Sequence, residues 1–194
     1  MEMALDADGN ISDEALLAAY GRGERAAAIA LTTRLTPRVL GFAAHMLGGD
    51  HAEAEDVAQE AMLRLWKQAP DWRPGEARVS TWLYRVVANL CTDRLRKRRF
   101  VDIDSVAEPA DQRAPPTGRL IAQERARALI GALAQLPPRQ RQAVILRHIE
   151  GISNPEIAQI LEISVEAVES LTARGKRALA RALAPRREEL GYGA

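Results

Sequence analysis

The residues with the most distinctive chemistry lie in the stretch 79–99, VSTWLYRVVANLCTDRLRKRR. Wound as a helix, this stretch separates into an apolar face and a polar face. The polar face carries Trp82, Arg85 and Asn89, and the helix ends in the basic run 96–99. An aromatic ring beside guanidinium groups suits single-stranded or melting nucleic acid, which needs a stacking surface and phosphate neutralisation. A tryptophan packed against a neighbouring helix, with basic residues favoured by the helix dipole, explains the pattern equally well.

A second unusual surface lies on a helix predicted over residues 51–69, where Asp50 and Glu53 have the spacing of a capping box. Its outward face combines carboxylates with apolar side chains: Glu55, Asp56, Gln59, Glu60, Leu63, Trp66 and Lys67. Acidic groups interleaved with apolar ones suit a basic protein partner. A solvated helix with its tryptophan packed under a loop is the alternative.

The amino-acid composition limits the classes of protein to which the chain can belong. The chain has 194 residues, 47% of them hydrophobic, a formal net charge of +1 and a single cysteine, Cys91. The charge is uneven, because acidic residues gather near 102–111 whereas 94–99 and 174–187 are basic, so local basic surfaces are expected. The N-terminus lacks the apolar core of a signal peptide, and no run approaches the roughly 18 apolar residues of a membrane span. We therefore expect a cytoplasmic protein without membrane insertion.

The pattern gives little support to an enzyme. His45, His51 and His148 are scattered and have no metal-ligand spacing with Cys91. No glycine-rich phosphate loop or nucleophile motif is present in the sequence. The sequence therefore predicts no catalytic residues, no metal and no cofactor.

Hydrophobic periodicity, caps and breakers predict an all-α fold of two small helical domains joined by a flexible acidic linker. The first four helices are expected at about 12–20, 24–47, 51–69 and 79–99. Ser12 is the expected N-cap of the first, and Pro37 marks a kink or a new start in the second. The later helices are expected at 120–134, 138–150, 155–161 and 165–183. The predicted divisions are a disordered N-terminus at 1–11, a first domain at 12–99, a linker at 100–118 and a second domain at 119–194.

The second domain is predicted to contain a helix-turn-helix. Ser153 and Glu156 form a capping box before a short helix, Ser164 caps the last helix, and Ile149 is expected to point inward. The residues of the last helix expected to face the DNA groove are Ser164, Glu166, Ala167, Glu169, Ser170 and either Thr172 or Ala173, with Arg174, Lys176 and Arg177 further along. The basic members can reach phosphates or guanine edges. A helical packing module that only looks like a helix-turn-helix remains the alternative.

The ordered set of motifs resembles the extracytoplasmic-function (ECF) sigma factors of the bacterial sigma-70 family, over about residues 12–183. Residues 54–60, AEDVAQE, resemble the core-polymerase-binding segment of region two, and residues 80–89, STWLYRVVAN, resemble its promoter-melting segment. Residues 136–151 resemble the opening of region four, and residues 153–179 resemble its helix-turn-helix.

The resemblance implies a transcription initiation factor that binds core RNA polymerase through its large subunits, recognises promoter DNA, and is controlled by an anti-sigma factor. The residues it assigns to polymerase binding are Asp56, Gln59, Glu60, Leu63 and Trp66. Those assigned to the minus-ten region are Trp82, Arg85, Asn89 and Arg96. Those expected to contact the minus-thirty-five region are Ser164, Ser170, Arg174, Lys176 and Arg177. The loop 70–78 would help to hold a flipped base, and the linker would run through the polymerase RNA channel.

Three residues depart from the family pattern. Glu162 stands where glycine is usual in the turn, at a cost of roughly 1 kcal/mol if it is left-handed. Glu169 and Leu171 replace basic residues that are common beside the matching serine, so the upstream DNA sequence that is read should differ.

Two other functions are alternatives to that of a sigma factor. A sigma-like adaptor would sequester an anti-sigma factor without binding DNA, but the basic runs at 94–99 and 174–177 are intact. A stand-alone helix-turn-helix repressor would leave Asp56, Gln59 and Trp82 unexplained.

Overall fold

The fold was analysed in a computed structural model that describes residues 11–73, 75, 78–101, 118–186 and 190. Every regular secondary-structure element in these ranges is a helix, which confirms the predicted all-α class. The helices are α1 Asp13–Gly21, α2 Arg25–Met46, α3 His51–Gln68, α4 Val79–Val101, α5 Gly118–Ala134, α6 Pro138–His148, α7 Asn154–Leu161 and α8 Val165–Leu183. Short 3-10 turns follow α3 at Ala69–Asp71 and α8 at Ala184–Arg186.

Most of the predicted N-terminal segment 1–11 and linker 100–118 lies outside the described residues, as do positions 74, 76 and 77 of the loop 70–78. The neighbouring helices reach slightly into the predicted linker, because α4 ends at Val101 and α5 begins at Gly118. The flexibility of the linker and the boundaries of the domains therefore stay predictions.

Local side-chain chemistry explains where the helices begin. Four predicted N-caps are confirmed, each with a side-chain oxygen that accepts a hydrogen bond from a backbone N–H three residues later. They are Ser12, Asp50, Ser153 and Ser164. The predicted capping box of α7 is complete, since the Glu156 carboxylate also accepts from the Ser153 backbone N–H at 3.3 Å. Pro37 does not divide α2, which continues as one helix to Met46.

The first four helices share one apolar core. Phe42 of α2 and Tyr84 of α4 meet edge to face, with ring centroids 5.4 Å apart, at a point where Phe42 is fully buried. Cys91, also on α4, is fully buried, and burial raises the pKa of its thiol to about 12. The cysteine therefore packs as a small apolar side chain.

The remaining helices form the predicted helix-turn-helix domain, with α7 and α8 joined through Glu162. The backbone of that residue is in the left-handed conformation, with φ 54°. This is the conformation that glycine, the usual residue at this position in the family, adopts without strain. Buried side chains between α6, α7 and α8 include Ile145, Ile157 and Val168. The predicted inward position of Ile149 is wrong: α6 ends at His148, so Ile149 falls in the turn and is 38% exposed.

The two domains pack against each other. The hydrophobic periodicity of the sequence did not predict this packing. Contacts join α4 to α7 and α2 to α6. Arg141 and Gln142 of α6 are buried at this junction although both are polar. None of the helices that the structure describes combines the length and apolar character needed to cross a membrane.

A close approach of α6 and α8 generates a stability prediction. A Cβ placed on Gly175 would lie 2.5 Å from Cγ2 of Val144, which is buried and short. Gly175→Ala should therefore lower the free energy of unfolding by about 1–3 kcal/mol, because overpacking outweighs the better helix propensity of alanine.

Gly131→Ala in α5 is the matched control, since nothing lies within 4 Å of the position of its new Cβ. It should raise the free energy of unfolding by about 0.5–1 kcal/mol through helix propensity alone. Urea unfolding followed by circular dichroism measures both. Equal stability of the two variants would contradict the packing argument.

Candidate functional site

The outward face of α3 presents the predicted polymerase-binding residues together. Asp56 and Gln59 are exposed, Glu60 is partly buried, and Leu63 is 52% exposed, which is unusual for a leucine. Trp66 does not pack under a loop; its ring lies 4.8 Å, centroid to centroid, from the edge-on ring of Tyr20 in α1. The tryptophan is thereby held at the rim of the face with part of its surface accessible.

A groove of about 300 Å³ separates this face from α2. Its lining is mainly apolar and consists of Thr32, Thr36, Leu40, Glu55, Ala58, Gln59, Met62, Leu63 and Trp66. An exposed apolar groove edged by polar side chains, among them the carboxylate of Glu55, has the apolar centre and polar rim of a protein-binding surface.

The acidic residues of α3 are linked to α4 by two arginines. Arg94 lies 3.9 Å from carboxylate oxygens of Glu53, Asp56 and Glu60, and Arg98 lies 2.5 Å from Asp50 and 3.1 Å from Glu53. At 3.9 Å the Arg94 contacts are loose ion pairs, so Asp56 stays available to another cation. The same arginines line a polar cavity of about 480 Å³ between α3 and α4.

The predicted minus-ten residues lie along one side of α4, where their environments differ. Trp82 is half-buried, with its ring edge-on to that of Trp72 at 6.2 Å between centroids. Asn89 is exposed, and Arg96 is exposed although it pairs with Asp93 at 3.1 Å. This side offers an aromatic ring, an amide and a guanidinium, groups of the kinds that stack on bases and bind phosphates.

Arg85 is the exception, because its guanidinium group contacts residues of the second domain. One Nη donates to the backbone carbonyl of Gln159 at 2.7 Å, and the other lies 3.1 Å from the Glu162 carboxylate. Beside it, the Tyr84 hydroxyl donates to the Glu150 carboxylate at 2.5 Å. Burial is the larger cause, and the Glu150 carboxylate the smaller one, of the raised pKa of Tyr84. The structure therefore brings the turn of the helix-turn-helix to the segment of α4 that was predicted to take part in promoter melting.

The predicted minus-thirty-five residues lie on the outer side of α8. Ser164, Ser170, Arg174, Lys176 and Arg177 are all exposed. The hydroxyl of Ser164 is already engaged as the N-cap of α8, and Arg174 donates to the Ser170 carbonyl at 3.3 Å. Burial, and then the positive charges of Lys176 and Arg147, lower the pKa of His148. The cationic groups of α8 thus form an accessible positive surface.

The sequence did not predict which side chains make contacts between different helices. Trp72, Arg141 and Gln142 were given no individual role, and Arg94 was counted only within the basic run 94–99. A partner distant in the chain leaves no periodic signal. Thr81 of α4 is 5% exposed although its side chain is polar. Among the described residues, no group of three or more His, Cys, Asp or Glu side chains is placed to hold a metal ion.

Comparison with known proteins identifies both domains. Residues 31–101 match the family described as Sigma-70 region 2, and residues 126–179 match Sigma-70, region 4, together more than half of the chain. The ECF RNA polymerase sigma factor SigM of Mycobacterium tuberculosis is 36% identical over 172 residues, covering 89% of this chain and 85% of that protein. The chain belongs to the ECF sigma factors of the sigma-70 family.

Other relatives agree with this assignment. The RNA polymerase sigma-H factor of Pseudomonas aeruginosa is 30% identical to this sigma factor over 184 residues, covering 89% of this chain and 94% of that one. Among solved structures, CnrH in complex with the cytosolic domain of CnrY matches with a TM-score of 0.67 and 26% identity, over 89% of this chain and 97% of that one. The predicted family and fold are confirmed.

The link between α3 and α4 generates a pH-dependent prediction. Asp50 accepts from the Glu53 backbone N–H at 3.1 Å and pairs with Arg98, and these contacts lower its pKa. Asp50→Ala should therefore reduce the free energy of unfolding at pH 7 by about 1 kcal/mol through loss of the cap. Asp50→Asn, which keeps a capping oxygen, should cost less.

The sign of the pH effect follows from the lowered pKa in the folded protein. The stability contributed by the ionised carboxylate is fully present above about pH 4, the ordinary aspartate pKa, and is lost as pH falls below it toward the folded value. Urea unfolding between pH 7 and pH 3 should show the difference between wild type and Asp50→Asn shrinking in that window. A difference that stayed constant would contradict the role of the charge.

Proposed function

We propose that this sigma factor binds core RNA polymerase through the outer face of α3 and directs it to promoters through α4 and α8. The observation that carries the proposal is the exposed face of α3 within the region-two match, where Gln59 and Leu63 line an apolar groove and the exposed Asp56 lies on the same helix. An exposed carboxylate close to an apolar groove is complementary to a basic, partly apolar helical surface on a large polymerase subunit.

Promoter recognition is divided between the two domains in this proposal. The accessible guanidinium and ammonium groups of Arg174, Lys176 and Arg177 contact the minus-thirty-five region, while Ser164 and Ser170 add hydrogen-bonding hydroxyls. On α4, Trp82, Arg85, Asn89 and Arg96 meet the minus-ten region, where unpaired bases stack and phosphates are neutralised. Contacts made only with the separated strands offset the few kcal/mol needed to unstack bases.

The protein supplies binding energy and makes or breaks no covalent bond in this scheme. It acts in the cytoplasm with the polymerase. The domains proposed for these tasks are 12–99 and 119–194, joined by the acidic segment 100–118. The exposed basic groups of α8 favour this function over that of a sigma-like adaptor, which has no use for a DNA-binding surface.

Control by an anti-sigma factor completes the proposal. An ECF sigma factor with an exposed apolar groove needs a partner that covers that groove when transcription is off. The structural relative CnrH forms a complex with the cytosolic domain of CnrY. We infer a comparable protein partner that covers the α3 face and excludes the polymerase.

Transcription in vitro with purified core polymerase tests the function. Asp56→Ala should weaken polymerase binding about tenfold, equivalent to 1.4 kcal/mol, because it removes a charge from the interface. Arg174→Ala should leave polymerase binding unchanged and reduce discrimination between promoters.

Glu24→Ala is the control, because it removes an exposed carboxylate of the first domain that pairs with Arg22 away from α3. It should bind polymerase and initiate transcription like the wild type. Binding by fluorescence anisotropy and transcripts on gels give the two readouts. Wild-type polymerase affinity in Asp56→Ala would contradict the assignment of α3.

A further inference from the structure

The exposed side of α8 divides into an acidic part and a basic part. The buried residues Val168 and Gly175 mark the side of α8 that packs on the rest of its domain. Six exposed residues that point away from this side are called the reading face below: Glu166, Glu169, Ser170, Ala173, Arg174 and Arg177. The two carboxylates of the reading face lie toward the N-terminus of α8, and the two guanidinium groups lie in its C-terminal half. Along the helix axis, Glu169 and Arg177 are about 12 Å apart.

The first of the two carboxylates stabilises the helix. Glu166 lies in the first turn of α8, where the positive end of the helix dipole favours a negative charge. Hydrogen bonds from its own backbone N–H, and then from the Ser164 hydroxyl, lower the pKa of its carboxyl group. The position of Glu166 is therefore explained by the stability of α8 alone.

The second carboxylate has no such explanation. Glu169 is the fifth residue of α8 and lies beyond the first turn, where the effect of the dipole has fallen off. Its helical neighbours are Glu166, a like charge three residues earlier, and Ala173, four residues later, so neither offers a cation. In the part of the chain that the structure describes, no other residue binds the Glu169 carboxylate. The side chain is exposed and stabilises nothing within the protein.

The position of Glu169 in the helix-turn-helix puts its carboxylate near base edges. α8 is the second helix of the helix-turn-helix, and residues 126–179 match Sigma-70, region 4. In a helix-turn-helix, the N-terminal residues of the second helix contact base edges in the major groove. Glu169 lies in that part of α8, whereas Arg174 and Arg177 follow one and two turns later, where cations bind phosphates.

An ionised carboxylate in the major groove selects among the four bases, because it accepts hydrogen bonds and donates none. Cytosine presents only a donor there, its N4 amino group. Guanine presents the acceptors N7 and O6, and thymine presents the acceptor O4, so both repel the carboxylate. Adenine places its N7 acceptor beside its N6 donor, which opposes the second carboxylate oxygen. Cytosine is the base that fits.

We propose that Glu169 is a specificity-determining residue that accepts a hydrogen bond from the N4 amino group of a cytosine in the minus-thirty-five region. This inference rests on the proposed role of α8 in binding that region. The carboxylate contributes discrimination and no general affinity, because it repels the phosphates that every DNA sequence carries. Arg174 and Arg177 supply the attraction to the backbone that offsets this repulsion.

Selection from a random pool tests the base preference. Holoenzyme, assembled from core polymerase and the full chain, is mixed with duplex DNA of randomised sequence, and the bound duplexes are sequenced. The wild type should select an upstream element that contains a strongly preferred C·G pair. Glu169→Gln keeps the size of the side chain and should lower that preference about tenfold, since its amide also donates to purines. The preferences at the other upstream positions should remain.

Glu166→Gln is the charge-matched control, because it removes the same negative charge from α8 one turn earlier. It should keep the preference for the C·G pair, since the Glu166 carboxylate is bound at the N-terminus of the helix. An equal loss in both variants would show a general effect of charge and would overturn the proposal. An unchanged preference in Glu169→Gln, or a wild-type upstream element without a preferred C·G pair, would also overturn it.

A change at a single atom of the DNA tests the hydrogen bond itself. In N4-methylcytosine the methyl group replaces the hydrogen that faces the major groove, and the base pair with guanine is kept. At the preferred C·G pair, this base should weaken binding of the wild-type holoenzyme about tenfold, measured by fluorescence anisotropy. Glu169→Ala should bind the methylated and the unmodified duplex equally well, which completes a double-mutant cycle. The same loss in both proteins would refute a contact between Glu169 and this base.

The two proposals fail in distinguishable ways. If the wild-type holoenzyme selects no upstream element at all, the proposed role of α8 is wrong, and the role of Glu169 falls with it. If the wild type selects an upstream element that Arg174→Ala weakens, the role of α8 stands. In that case an unchanged base preference in Glu169→Gln shows that only the assignment of Glu169 is wrong.

Discussion

A buried guanidinium constrains the arrangement of the whole molecule. Arg141 is 5% exposed and stays protonated, since burial lowers its pKa from a very high value, so its donors require partners inside the protein. Its two Nη groups donate to the carbonyls of Met46, at the end of α2, and of Ala134 and Leu136, at the end of α5. Because the C-terminal ends of helix dipoles favour a cation, one side chain holds the ends of two helices from different domains together.

This junction makes α4 the element on which the proposed activities converge. One face of α4 fills the core of the first domain with Leu83 and Val87. A second side is joined to the acidic residues of α3 through Arg94, and a third meets the helix-turn-helix domain through Arg85. A single helix therefore connects the acidic residues of α3, the side chains proposed to contact DNA and the second domain.

The sequence predicted what depends on neighbours along the chain. The caps at Ser12, Asp50 and Ser164 were predictable because each involves three consecutive residues and a backbone donor. The family motifs located the candidate surfaces, whose individual roles are still proposals. The packing of the domains was out of reach, because a pair such as Arg85 and Glu162 joins residues far apart in the chain and has no periodicity. Arg141 was hidden for the same reason: a buried arginine bonded to carbonyls has no acidic partner that a pattern could show.

The buried sulfur of α4 limits how this protein can respond to its environment. Peroxide and electrophiles react with thiolates, and the thiol of Cys91 is protonated and shielded from solvent in the folded protein. As Cys91 is the only cysteine in the sequence, the chain has no second thiol with which to form an intramolecular disulfide. A signal that depends on thiol oxidation must accordingly be sensed by another molecule and reach this protein through a partner.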